Sequence, residues 1–112
     1  MTDKEFYDIV KKLRAAQKAY FKNRCFANMY EMQGLETHVD LALRQLPPSD
    51  KPKVQQFRKM VADMRRMQDI WVKTKLHEHL KAALSYESKV DKEIERVENI
   101  LHPKPIQTKL EL

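Results

Sequence analysis

Apolar residues in the first half of the chain fall at Phe6, Ile9, Val10, Leu13 and Tyr20, then at Met29, Met32, Leu35, Val39, Leu43 and Leu46. Steps of three and four gather these side chains on one face of an α-helix and leave the positions between them to water. The second half has the same stripe, at Phe57, Met60, Val61, Met64, Trp71, Leu80, Ala83, Tyr86, Val90, Ile94 and Val97. In each half the two runs of the stripe slip out of one heptad phase near Arg24 and Lys75, where a bend or break can occur. Between the halves stands Leu46-Pro47-Pro48-Ser49-Asp50-Lys51-Pro52, which cannot continue a helix because proline lacks an amide donor and pushes its predecessor out of the α region. Ser49 or Asp50 is placed to cap the next helix, with Pro52 in its first turn. A second stop comes at His102-Pro103-Lys104-Pro105.

The expected fold class is all-α, in one helical domain over 1–112: a first repeat at about 6–46, a proline-rich turn at 46–52, a second repeat at about 53–101 and a tail at 102–112. Two architectures satisfy the pattern. One is an antiparallel, coiled-coil-like hairpin of two helices of about 45 residues, each on the order of 65 Å long at 1.5 Å per residue. Half of each stripe would then stay wet, and dimerisation into a four-helix bundle would cover it. The alternative is a compact four-helix bundle in one chain, with breaks near residues 24 and 75.

The two halves share more than periodicity. Shifted by 51 positions, Phe6 to Asp40 aligns with Phe57 to Asp91 without a gap, with the identities Phe6/Phe57, Val10/Val61, Arg14/Arg65, Gln17/Gln68, Lys22/Lys73, Glu36/Glu87, Val39/Val90 and Asp40/Asp91. Periodicity explains matches at apolar positions, whereas the polar identities point to a tandem duplication.

Charge is arranged by half. Lys11, Lys12, Arg14, Lys18, Lys22 and Arg24 follow one another with no acid between them, and Lys51 to Lys75 is similarly basic apart from Asp63 and Asp69. The acids come later in each half: Glu31, Glu36 and Asp40, then Glu78, Glu87, Asp91, Glu93, Glu95 and Glu98. Lys11, Arg14, Lys18, Lys22, Arg65, Arg66 and Lys73, interleaved with Tyr20, Phe21 and Trp71, are the candidates for a nucleic-acid surface. The competing account is internal pairing. In an antiparallel hairpin, residues whose numbers sum to about 100 face each other, which sets Arg14 opposite Glu87 and Arg65 opposite Glu36 and fixes the register electrostatically. A formal charge of +6 and a pI near 9.5 permit a polyanionic partner without demanding one.

Composition removes whole classes of chemistry. A single glycine, Gly34, excludes phosphate-cradling loops and nucleophile elbows. Gly34 aligns with Ser85, so both read as small residues admitting a neighbouring helix. Cys25 is the one cysteine and aligns with Leu76, which favours packing over catalysis. His77 and His79 are two apart and point to different helix faces, while His38 and His102 read as surface residues, so no metal site and no cofactor are expected. Tyr20 and Trp71 occupy matching sites and are expected to anchor the core with their polar edges wet. No apolar run is long enough for a membrane span and no leader is visible, so a cytoplasmic protein without membrane or lipid anchor is expected.

The string Leu13-Arg14-Ala15-Ala16-Gln17-Lys18-Ala19-Tyr20-Phe21-Lys22-Asn23-Arg24, with Leu35-Glu36 and Val39-Asp40 after it, resembles a family of short uncharacterised helical proteins of gut Bacteroidales and their phages or mobile elements. These carry one copy of R-x-A-Q-K-x-Y-F-K-x-R followed by L-E-x-x-V-D. The second half departs from that pattern at Trp71-Val72-Lys73-Thr74-Lys75. The resemblance implies a phage or mobile-element accessory protein, a fused form of something otherwise dimeric, and brings no activity with it. The expected function is a non-enzymatic helical interaction or structural protein, homo-oligomeric and bound to another protein; the alternative is a nucleic-acid-binding accessory factor.

Overall fold

The computed structural model describes residues 1–103 and forms four helices: α1 (Asp3–Lys22), α2 (Phe26–Gln45), α3 (Pro52–Thr74) and α4 (His77–Leu101). The compact bundle is the architecture formed. Each of the two long helices expected for the hairpin is divided in two, at Asn23–Cys25 and at Lys75–Leu76. The slip in the stripe is resolved by reversing the chain, so four helices of one chain bury one another without a second copy. The tail assigned to 102–112 lies, from residue 104 onward, outside the described residues.

Local chemistry explains the breaks. At the first, Asn28 Nδ2 donates to the Asn23 carbonyl at 2.9 Å, and Asn23 leaves the helical region. At the second, Lys75 adopts a left-handed conformation (φ 56°), and Thr74 Oγ1 accepts from the Leu76 amide while donating to the Ile70 carbonyl. The proline turn is tied down by Arg58, which donates to the Pro47 carbonyl at 2.7 Å and to Asp3 at 2.9 Å. Pro52 stands in the first turn of α3, but the cap residue is Lys51, which makes no side-chain cap. The Ser49 hydroxyl instead accepts from the Lys51 amide, and Asp50 takes no capping role. By contrast α1 begins with a full capping box between Thr2 and Glu5.

Each helix packs beside those before and after it, and α4 returns to α1. Helices α1 and α3 lie across the axis and run parallel, since Phe6 meets Phe57 edge-on (centroids 6.0 Å, 81°) and, further along, Gln17 meets Gln68. Phe6, Val10, Leu13, Val39, Val61, Met64 and Val90 are fully buried and fill the end of the bundle that holds the proline turn. Tyr7 closes that end against α4, donating to Glu98 at 2.7 Å and to the Ile94 carbonyl. We call this the closed end.

Candidate functional site

Directly beyond the Leu13 and Met64 layer the core becomes polar. Arg14, on α1, forms a two-pronged pair with Asp91 of α4 (Nε–Oδ1 2.7 Å, Nη2–Oδ2 3.0 Å), and Arg65, on α3, forms the same pair with Asp40 of α2 (2.9 and 3.1 Å). Their remaining Nη1 groups donate to Gln17 Oε1 and Gln68 Oε1. Each glutamine amide then donates to the other and to a glutamate, Gln17 to Glu36 and Gln68 to Glu87. Every amide atom of both glutamines is used twice. The second half of the layer reproduces the first with residues 51 positions further along.

The charge pairs expected from the hairpin register are near each other as well, Arg14 to Glu87 at 3.7 Å and Arg65 to Glu36 at 3.5 Å. The closer contacts go to the aspartates one helical turn on. Burial works to raise the Asp91 carboxyl, but hydrogen bonds and charge from Arg14 and Lys18 outweigh it and hold the group below its ordinary range. Burial opposes the charge of Arg65, and Asp40, Glu36 and Asp69 together reverse that, raising its affinity for the proton. Such a layer is saturated and rigid, and all its charges are engaged with one another.

Past the polar layer the bundle opens. Phe21, Phe26, Tyr30, Val72, Leu76 and Leu84 are each half or more exposed, and Ala83 alone among the described residues is buried there. Between α1 and α4 runs a cleft of about 480 Å³, walled by Lys18, Phe21, Lys22 and Leu84, with Tyr20, Met32, Trp71 and Leu80 behind them and Glu87 at its inner end. Its volume suits a docked group of side chains or a small ligand. A smaller apolar recess of about 300 Å³ lies at the closed end beside Leu101, with the ion pairs Asp3–Arg58 and Glu93–Arg96 on its rim.

Tyr20 and Trp71 are half-buried, each partly packed and partly wet where the gap between α1 and α4 leaves the cleft open. Cations of the two breaks lie over them: Lys75 Nζ is 4.9 Å from the Trp71 ring centre, and the Arg24 guanidinium is 5.2 Å from Phe21 and 6.0 Å from Tyr20. Gly34 admits no helix, since a Cβ built there meets nothing within 4 Å; the expected close approach is replaced by solvent. Cys25 immediately precedes α2 and is half-buried.

The seven basic residues singled out in the sequence do not form one surface. Arg14 and Arg65 are buried in the polar layer. Lys11 is held by Glu98 at 2.7 Å, Lys18 by Asp91 at 3.2 Å and Arg66 by Asp63 at 3.2 Å. Lys22 and Lys73 remain without a carboxylate partner among the described residues, at the open end. Of the histidines, His79 faces the Thr74 hydroxyl at 2.7 Å, and among the described residues no three His, Cys, Asp or Glu side chains gather as a metal would need.

No family model, curated protein or solved structure matches this chain. The site therefore stands on its own geometry. Phe26, Tyr30 and Leu84 escaped the sequence reading because they lie off the stripe, and that is also the signal that could have found them: large apolar residues at positions the periodicity assigns to water.

Proposed function

We propose that this chain is a non-enzymatic helical interaction protein that docks another macromolecule on the open end of its bundle. The observation that carries this reading is the contrast in the interior across the polar layer: on one side it is a dry apolar core, and on the other it opens as a cleft walled by exposed Phe21 and Leu84. Exposed apolar patches of this kind mark interaction sites. The saturated layer beneath supports it, because its ionisable groups bind one another and none is left poised as a base or nucleophile in the cleft. The recurrence at 51 positions is read as a tandem duplication that supplied both halves of the layer, and the setting as an accessory role in a phage or mobile element.

A dye that fluoresces in apolar sites, anilinonaphthalene sulfonate, tests the surface directly. Folded protein should bind it with energy transfer from Trp71, and Leu84→Glu should abolish the signal while Ile100→Glu, at the closed end, leaves it intact. Absence of binding, or loss with Ile100→Glu instead, overturns the reading.

The second reading, nucleic-acid binding through basic helix faces, is favoured by one arrangement, Arg24 and Lys75, without a carboxylate partner among the described residues, lying over aromatic rings at the open end. Retention on single-stranded DNA or RNA, with affinity falling steeply against log[salt], would transfer the assignment to it.

A further inference from the structure

We infer that the occupant of the cleft is an acidic amphipathic helix of a partner protein, an inference that rests on the open end being a docking surface. Shape is the first argument. The cleft follows the groove between two antiparallel helices, the form that receives the apolar face of a third helix through anchors at i, i+3 or i+4, and i+7. Its lining of Met32, Leu80, Leu84, Trp71 and Phe21 suits bulky aliphatic or aromatic anchors, and methionine adapts to their outline.

Charge is the second argument, and it selects the partner. At the closed end Lys4 is matched by Asp8, Arg58 by Asp3, Lys11 by Glu98 and Arg96 by Glu93, and Lys12, Arg44 and Lys53, which have no ion pair among the described residues, are balanced by the exposed acids Glu5, Asp50 and Glu95. Around the open end Lys22, Arg24, Lys73, Lys75 and Lys81 have no carboxylate within 4.0 Å among the described residues, against Glu31 and Glu78 as the exposed acids not engaged by a cation. An acidic helix would complement that rim. A second copy would set two basic rims against each other. A nucleic-acid strand would need a continuous phosphate track, and Lys11, Arg14, Lys18 and Arg65 are already bound to carboxylates of this chain. Glu87, at the inner end of the cleft, orients the guest: its acids lie toward the outer rim at Lys22, and its inner end is neutral or basic.

The test uses the whole chain and two synthetic helical peptides with the same leucine spacing, one with glutamate and one with lysine at the remaining positions. Trp71, the one tryptophan, is the reporter. The glutamate peptide should shift its emission to the blue and bind at least about tenfold more tightly than the lysine peptide, a gap that narrows with salt. Leu84→Glu, at an exposed position that the fold does not need, should abolish the shift. Equal binding of the two peptides, tighter binding of the lysine peptide, or binding of neither overturns the inference. So does a single-stranded oligonucleotide that quenches Trp71, or a concentration-dependent doubling of mass that shifts its emission with no peptide present. If dye binds the cleft and neither peptide does, this inference falls and the docking surface stands; if dye does not bind, both fall.

Discussion

The two ends of the bundle are built from one repeating pattern and end up different. At the closed end, residues 51 apart meet across the axis as dry layers, Phe6 with Phe57 and then Val10, Val61, Leu13 and Met64. At the open end, Tyr20 and Trp71 occupy the same kind of position and stay only half-buried along a cleft. Of the four helix starts only that of α1, at the closed end, has a side-chain cap; α3 opens beside it behind Lys51, and α2 and α4 open at the other end behind Cys25 and Leu76, all three uncapped. Stability is therefore concentrated in one half and surface in the other, with the Arg–Gln–Asp layer as the boundary. Elements that bind are drawn from the less stable part of a fold.

The boundary is the place to break first. Arg65→Met would leave Asp40 without its donor, Glu36 without its neighbouring cation and Gln68 Oε1 without one of its two donors, and should cost about 3–5 kcal/mol of stability in urea unfolding. Arg14→Met, with the mirrored geometry, should cost a comparable amount, and Arg65→Met combined with Asp40→Leu should recover much of the loss. A cost under about 1 kcal/mol for either single change would mean that the layer behaves as solvated surface and divides nothing.

Next come matched truncations on the two sides. Met64→Ala in the closed end should cost about 2–5 kcal/mol, the range for emptying a packed site. Leu84→Ala at the cleft should fall within about 0.5 kcal/mol of the parent. Equal costs would show that the open end is packed in solution and that the contrast is not real.

Two-helix periodicity, the proline turn and both break points were legible in the residues, because each rests on local chemistry: a 3–4 stripe, missing amide donors, and a phase slip at Arg24 and Lys75. The members of the polar layer were legible too, since Arg14, Gln17, Glu36 and Asp40 recur as identities that periodicity does not require. Their partners were only partly so. Counting along a straight hairpin leads to Glu87 and Glu36, whereas the folded register sets the bidentate contacts at Asp91 and Asp40, one turn away. What could not be read is tertiary. Whether Tyr20 and Trp71 are covered depends on how far α1 stands from α4, and no local pattern encodes that distance. The starts of α2 and α4 carry no cap residue to announce them.

Titration separates the boundary from the closed end at a smaller scale. The Asp91 carboxyl is held below its ordinary value in the fold, so its contribution is full above about pH 3.8 and is lost as pH falls through the depressed value. The Tyr7 hydroxyl goes the other way: burial, and then its hydrogen bond to Glu98, raise it well above 10.0, so its contribution is full below that pH and disappears as pH rises beyond it. Thermal unfolding across pH should show both limbs. Asp91→Asn should flatten the acid limb and Tyr7→Phe the alkaline one; an acid limb unchanged by Asp91→Asn would remove that residue from the account.

The smallest effect tests the openness of the helices themselves. Gly34 in α2 and Ser85 in α4 stand 51 positions apart on exposed faces, and small residues there could serve either a tightly packed neighbour or nothing at all. Geometry favours the latter, since a Cβ at Gly34 reaches no atom within 4 Å. Backbone entropy then decides: Gly34→Ala should raise stability by about 1 kcal/mol and Ser85→Ala by roughly half as much, following intrinsic helix preference alone. A partner helix lodged against α2 would reverse the sign at Gly34, because the added methyl would have to displace it. A stabilised Gly34→Ala variant that still shows the Trp71 response to the glutamate peptide would keep the binding face on the α1–α4 side of the open end, with α2 at that position left to solvent.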